Sequence, residues 1–386
     1  MDGAETMDVA LDVQPLLSRE KTGIGYAVEN LLDQLLESSE NRYELNFFAL
    51  PNDNLAAELQ DKYNTKAQLC RCPYVSGRAY KFMSTFAPLP YSLFFHNHAE
   101  VTHFQNFLVP PGVRGRVIAT IHDMVYRACP ETMASRTRNM MRLNMERSLK
   151  RADHIVTISA FSKNEILKYT KIPEKKITVI PCGVNSDFYH SEKDPGNIRT
   201  IHTQYNIPLN YILYMGTLEP RKNLPVLLDA YALALQTEKD LPFLVLAGSK
   251  GWGYREIMQK INLLNLSSKV IITGYISQQH KAALLSAAEF FVFPSIYEGF
   301  GLPPLEAMAC GTPVVASAIP SCTEVLGDAA LFASPNSTRE LAEALLTMHR
   351  SNELRAKYAA RGITQVRHFS WKAAALKMAE LYHSLA

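Results

Sequence analysis

The densest set of chemically capable residues lies between Glu289 and Ser317, EFFVFPSIYEGFGLPPLEAMACGTPVVAS. An apolar strand pattern runs to Pro294 and the loop YEGFGL follows. Pro303 and Pro304 then open a short helix, as proline does in a first helical turn. Gly299 and Gly301 permit a tight path in which successive N–H groups converge on an anion. Glu298 stands just before that path and Glu306 in the first turn of the helix. A carboxylate is no ligand for phosphate, but it accepts hydrogen bonds from sugar and ribose hydroxyls. One loop thus offers amides to phosphates and flanking carboxylates to sugars, the outline of a nucleotide-sugar site. A tight strand-to-helix turn with a helix-start glutamate is the plain alternative.

Three other strand exits carry polar residues, and in an open α/β sheet ligands bind outside the carboxyl ends of the strands. In YMGTLEPRKNL a strand ends at Gly216, and Arg221, Lys222 and Asn223 stand at the entry to a helix. A forked guanidinium beside a mobile ammonium suits a diphosphate. Basic residues at a helix N-terminus oppose its dipole, so an anion is expected there rather than a solvated cap. In TGIGY, Gly23 and Gly25 open a helix whose N-terminus suits phosphate. Val28 replaces the third glycine of a dinucleotide fingerprint, and a plain turn competes with the phosphate reading. In ATIHDMVY a strand runs into His122 and Asp123, either a site or a turn and cap.

These stretches need strands to aim them. Strands are expected at 7–13, 44–49, 99–104, 116–121, 154–158 and 177–180, then at 211–215, 242–247, 269–273, 289–293, 313–317 and 330–332. Helical patterns at 24–38, 76–87, 132–150, 160–169, 223–236, 254–264, 278–288, 304–310 and 338–349 separate them. Such alternation means parallel sheets with crossover helices, and two such series mean two Rossmann-like α/β domains. Residues 181–197 read as a linker, giving domains 1–190 and 191–368. The tail 369–386 is helical, and its apolar residues at 374, 375, 378, 381 and 385 need a surface to pack on.

Composition sets the outer limits. The 386 residues are 47% hydrophobic and 20% charged, which fits two globular domains and excludes whole-chain disorder. Forty Lys and Arg against 37 Asp and Glu give a net +3, no support for a nucleic-acid partner. Only Cys70 and Cys72 lie close together, without a nearby His or second pair, so neither zinc nor a disulfide scaffold is expected. The segment MDGAETMDVALDV is acidic where a signal peptide needs basic residues, and no apolar run approaches ~20 residues. The expectation is a cytoplasmic protein, with peripheral contact at the inner membrane face as a further option. Residues 111–151 hold nine basic residues against three acids, a local +6. Anionic lipid attracts such a surface at ~1 kcal/mol per residue. The basic positions from Arg136 to Arg151 fall on two helical faces, which favours a solvated surface.

TGIGY, ATIHDMVY, ITVIPCGVNSDFY, YILYMGTLEPRKNL, LAGSKGWGY, IITGYI, FPSIYEGFGLPPLEAMACGTPVVAS and EVLGDAALFASP occur in that order. Together they closely resemble the retaining GT-B glycosyltransferases of family four, group 1. They are most similar to bacterial mannosyltransferases of polysaccharide and O-antigen assembly. The resemblance covers nearly the whole chain, and Glu-x7-Glu from Glu298 to Glu306 is its most specific part. It implies two Rossmann-like domains whose parallel sheets face a deep interdomain cleft, a nucleotide-sugar donor, and neither metal nor other cofactor. By the same resemblance Arg221 and Lys222 neutralise the diphosphate, Glu298 contacts donor-sugar hydroxyls and Glu306 holds the ribose. Gly299, Phe300, Gly301 and Leu302 would line the sugar and phosphates through backbone groups. His122 would reach the donor sugar, with Asp123 beside it. Gly23 would lie near the phosphates, Gly216 would join the donor site, and the base would meet Gly274, Tyr275 and Ile276.

The favoured donor is GDP-mannose, with UDP-glucose, UDP-galactose and UDP-N-acetylglucosamine as alternatives. The implied acceptor is a saccharide or polyprenyl-linked saccharide, on the side of His103–Gly112 and the aromatic stretch Tyr80–His98. The implied mechanism is front-face retention, in which the leaving phosphate accepts the acceptor's proton. A nicotinamide oxidoreductase would need GxGxxG and an acid at the next strand's end, which neither half has. A sugar-nucleotide epimerase, a phosphorylase and a non-catalytic sugar-binding protein remain as other classes.

Overall fold

The computed structural model describes residues 6–86, 89–96, 98–191 and 194–386. Residues 87, 88 and 97 of the aromatic stretch 80–98, residues 192 and 193 of the stretch 181–197, and the first five residues of the acidic N-terminal segment lie outside that set. The chain divides into two compact units, one of residues 1–128, 135–183 and 371–386, the other of residues 129–134 and 184–370.

The first unit holds seven strands: β1 (Asp8–Asp12), β2 (Arg42–Phe48), β3 (Gln68–Cys72), β4 (Val101–Phe104), β5 (Arg116–Thr120), β6 (His154–Thr157) and β7 (Ile177–Val179). They pair in parallel in the order β3-β2-β1-β4-β5-β6-β7. The second unit holds β8 (Tyr211–Met215), β9 (Phe243–Ala247), β10 (Val270–Gly274), β11 (Phe290–Phe293), β12 (Val314–Ser317) and β13 (Ala330–Ala333). They are also parallel, in the order β10-β9-β8-β11-β12-β13. Helices cover both faces of each sheet, so central strands are buried along their whole length, as FFVF of β11 and VVAS of β12 are. In each sheet the strand order reverses once, between β1 and β4 and between β8 and β11. Those two switch points are where ligands bind in doubly wound folds.

The helix Trp371–Leu385 returns to the first unit and packs on the helix Gly23–Ser38. Its buried stripe is Trp371, Ala374, Ala375, Met378 and Tyr382. The Tyr382 hydroxyl lies 2.7 Å from Nδ1 of His103 on β4, whose Nε2 is 2.8 Å from Thr120 Oγ1. Burial, with a smaller push from His122, drives the His103 pKa down to about 3, so its ring is a neutral hydrogen-bonding strut. His103 therefore belongs to the core, although it opens the stretch expected to line the acceptor side.

Several elements go beyond the expected set. β3 forms the edge of its sheet, and helices occupy Asn54–Tyr63, Pro195–Gln204, Pro320–Leu326 and Asn352–Val366. The helix Pro195–Gln204 starts inside the stretch read as linker, with Pro195 at its start and Asp194 Oδ1 accepting the Gly196 N–H at 2.9 Å. The short piece 129–134 sides with the second unit, where Trp252 Nε1 donates to the Thr132 carbonyl at 3.0 Å. Among the described residues no helix is long and apolar enough to cross a membrane.

Candidate functional site

At the second switch point the loops after β8 and β11 are stitched together. The Ile296 N–H donates to the Arg221 carbonyl at 3.0 Å, and Asn223 Nδ2 donates to the carbonyls of Pro294 and Pro335 at 3.1 and 2.8 Å. Asn223 adopts a left-handed conformation, φ 58°, which separates the tight turn Pro220–Lys222 from the helix Leu224–Thr237. Arg221 and Lys222 stand at the entry to the helix, as expected, on a turn of their own, and the anion that answers them is a side chain of this protein.

That side chain is Glu298. Its Oε2 accepts from Arg221 Nη1 at 2.7 Å and its Oε1 from Lys222 Nζ at 2.6 Å. Arg221 Nε and Nη2 donate in turn to Glu219 Oε1 at 3.2 and 2.9 Å, and Nη1 also reaches the Tyr297 carbonyl at 3.2 Å. Two cations thus meet two carboxylates, and the cluster is neutral. Glu298 and Lys222 are buried, and Lys222 Nζ lies 5.3 Å from the Phe293 ring centre. Burial by itself would raise the Glu298 carboxyl, but Arg221 and Lys222 outweigh it and hold the group below the usual carboxylate value.

Glycines clear the sheet edge beside the cluster. β10, β9 and β8 lead into Gly274, Gly248 and Gly216 in side-by-side positions, linked by Gly248 N–H to Gly274 O at 2.8 Å and Gly216 N–H to Ala247 O at 2.9 Å. A Cβ on Gly248 would lie 2.0 Å from the Gly216 oxygen, so no other residue fits there. At Gly274 a Cβ would meet only open space. Gly248 was missed as a site residue, although it sits in LAGSKGWGY just past a strand.

Gly301 has φ +109° and starts the helix Leu302–Ala309, whose first amides have no intrahelical acceptor. Because the helix opens at Leu302, Glu306 falls in its second turn rather than its first. Glu306 is half-buried. Burial raises its carboxyl above the ordinary value, against the pull of Lys281 and a hydrogen bond from Tyr189. Tyr189 and Lys281 are thus neighbours that spacing did not reveal. The Phe300 side chain is buried edge-on to Phe369, ring centres 5.6 Å apart, leaving its backbone as the part able to meet a ligand. Tyr275 is half-buried and Ile276 buried just beyond Gly274, and Gly299 lies between Glu298 and Phe300.

The remaining expected residues lie in the first unit. His122 Nε2 is 3.1 Å from the Gln105 carbonyl, beside an apolar void of ≈ 30 Å³, and burial lowers its pKa. Asp123 Oδ1 accepts the Val125 N–H at 3.0 Å, which is a turn-capping role. Gly23 is exposed at the helix start with nothing within reach of a Cβ, whereas Gly25 packs closely on the Pro15 carbonyl. Among the described residues no three His, Cys, Asp or Glu side chains are placed to share a metal ion.

Residues 22–188 match the family Glycosyltransferase Family 4, and residues 197–365 match Glycosyl transferases group 1. Over 273 residues the chain is 34% identical to O-antigen chain mannosyltransferase B of Escherichia coli, covering 70% of this chain and 71% of that one. This chain belongs to the group 1, family four glycosyltransferases. The O-antigen chain mannosyltransferase RfbU of Salmonella typhimurium is 30% identical over 235 residues, 61% of each chain. The structure of Anabaena Alr3699/HepE in complex with UDP and glucose superposes with a TM-score of 0.76 at 20% identity, covering 98% of this chain and 100% of that one. The two parallel-sheet units are therefore those of a GT-B glycosyltransferase.

Proposed function

We propose that this glycosyltransferase moves a hexose, mannose from GDP-mannose in the first instance, onto a saccharide or polyprenyl-linked saccharide acceptor of cell-surface polysaccharide, with retention at the anomeric carbon. The observation that supports the reading best is the cluster of half-buried Arg221 with buried Lys222 and Glu298 at the second switch point. The mannosyltransferase relatives from Escherichia coli and Salmonella support mannose. A UDP-hexose is the alternative, favoured by the UDP bound in the Anabaena structure.

In this reading the donor exchanges partners within the cluster. Arg221 and Lys222 turn from Glu298 to the diphosphate, and Glu298, freed of them, accepts hydroxyl hydrogens of the sugar. Glu306 takes the ribose hydroxyls, and the amides at Gly301 and Leu302 face the phosphates. The glycosidic bond to the phosphate oxygen breaks, and a bond from the acceptor hydroxyl to the same face of the sugar forms. The acceptor proton passes to the departing phosphate, whose charge the two cations stabilise. Six free thiols suit a reducing compartment, so we place the reaction in the cytoplasm. Flotation with anionic and neutral liposomes tests the peripheral-membrane option.

The deciding experiment incubates the protein with a panel of nucleotide sugars and a saccharide or lipid-linked acceptor and follows nucleotide release. Acceptor-dependent release of GDP from GDP-mannose is expected, and NMR of the product should show the donor's anomeric configuration. No acceptor-dependent release with any donor overturns the reading.

A further inference from the structure

The first switch point holds a cavity of ≈ 200 Å³ that none of the expected donor residues touches. Its floor is built from the last residues of three adjacent strands, Asp12 of β1, Phe48 of β2 and Phe104 of β4. Tyr80, Lys81 and Asn106 also line it. Phe48 and Tyr80 stack with ring centres 4.0 Å apart, which makes one wall flat and aromatic.

The polar groups in this cavity lack the partners that a purely structural role would supply. Tyr80 is 5% exposed, yet among the described residues its hydroxyl has no hydrogen-bond partner. Among the described residues Lys81 has no anionic partner, although burial lowers its pKa, and its Nζ rests 5.1 Å from the Phe107 ring centre. Among the described residues the Asp12 carboxyl is met by the Gln14 backbone N–H, and burial raises it to about 7. Asn106 spends its Oδ1 on the Phe107 N–H at 2.8 Å, which leaves its amide hydrogens for another acceptor. Leaving a buried phenol and a half-buried carboxyl and ammonium unpaired costs stability. Such groups are kept where a ligand completes them.

The required ligand follows from the inventory. It must donate to a carboxylate, accept from an ammonium, an amide and a hydroxyl, and lay an apolar face on aromatic rings. A pyranose does all of this, because each hydroxyl both donates and accepts. At ~30 Å³ per water the cavity is one small ring in size, below the ~300–1,000 Å³ of drug-sized pockets. We propose that this cavity binds the terminal sugar ring of the acceptor saccharide, with Asp12 and Lys81 reading two of its hydroxyls. The acceptor role rests on the transferase reading above; the sugar site stands on the cavity.

The test uses the full chain and the variants Asp12→Asn and Lys81→Met. Saturation-transfer NMR measures binding of the methyl α-glycosides of mannose, glucose, galactose and N-acetylglucosamine, and calorimetry measures GDP and UDP. At least one glycoside should bind the wild type, and each variant should weaken it about ten- to hundredfold, the worth of one hydrogen bond to a charged group. Nucleotide affinity should stay within about twofold. Lys81→Met changes a half-buried helix residue and keeps the test open if Asp12→Asn unfolds. Nucleotide binding with no glycoside signal, or a signal unchanged in both variants, overturns the sugar site. A glycoside signal lost in the variants, with neither GDP nor UDP bound to the wild type, overturns the transferase reading and the acceptor role while upholding the sugar site.

Discussion

Glu298→Gln is the sharpest probe of the charge cluster, because it keeps the shape of the side chain and deletes its charge. In the wild type the two carboxylate oxygens serve Arg221 Nη1 at 2.7 Å and Lys222 Nζ at 2.6 Å. Glutamine presents one oxygen and one N–H2 group, so one cation then faces a donor. Arg221 keeps Glu219, but the Lys222 side chain is only 10% exposed and has no second carboxylate among its described partners. Removing one member of a buried pair costs about 3–5 kcal/mol, and the partial exposure of Arg221 argues for the lower end, about 3 kcal/mol. With a urea slope of ~1–3 kcal/mol/M the midpoint should fall by roughly 1–3 M. The two tryptophans make this readable, since Trp371 sits in the first unit and Trp252 in the second. A Trp371→Phe background leaves Trp252 to report the second unit alone. The same variant should bind free GDP or UDP about tenfold more tightly, because a negative charge no longer competes with the diphosphate, while sugar transfer is lost. A urea midpoint within ~0.3 M of wild type, combined with weaker nucleotide binding, would refute the claim that Glu298 neutralises the pair.

Further predictions concern other groups. Because the Glu298 carboxyl lies below its ordinary 4.5, it stabilises the fold above that pH and the contribution disappears as pH falls through its folded value; Glu298→Gln should flatten acid unfolding of the second unit in that range. Asp12 has the opposite sign: burial raises its carboxyl from 3.8 to about 7, so it penalises the fold increasingly as pH climbs through that window. Asp12→Asn should therefore raise the first unit's stability at pH 8, by at most roughly 4 kcal/mol, and leave it unchanged near pH 4, as thermal melts will show. Gly248→Ala should prevent folding of the second unit or cut its circular-dichroism melting point steeply, whereas Gly274→Ala, strained only by its φ of +75°, should cost about 1 kcal/mol. Glu219→Gln removes a partly exposed partner of Arg221; stability should change by under ~1 kcal/mol in a urea titration.

Strands with continuous apolar runs, such as YILYM of β8 and FFVF of β11, were legible because both of their faces are buried. β3 was not, since QLCRC is a sheet edge with exposed and half-buried positions and no apolar run. The Asp-Pro-Gly start of the helix Pro195–Gln204 carries a real cap signal, but the same residue types fill turns, and composition pointed to a linker. Residue types at the strand exits marked Arg221, Lys222, Glu298 and Glu306. Their mutual contacts were out of reach, because Glu298 meets Lys222 across 76 residues of chain and no spacing rule spans that distance. The sequence therefore suggested two cations waiting for a ligand, where the fold supplies a resident carboxylate. Asp12 was equally hidden. In sequence it reads as the polar end of a short strand, and its isolation appears only when β2 and β4 close around it.

The helix Trp371–Leu385 has a consequence for the making of the protein. It fills the face of the first unit beside the helix Gly23–Ser38 and supplies Tyr382 to His103. A ribosome must therefore translate the whole of 184–370 before the first unit can close its core, a wait of roughly 10–40 s at ~5–20 residues per second. The second unit is complete in sequence by Ser370 and can finish folding first. The usual order of birth is inverted, and the half that emerges earliest is the half most in need of a chaperone.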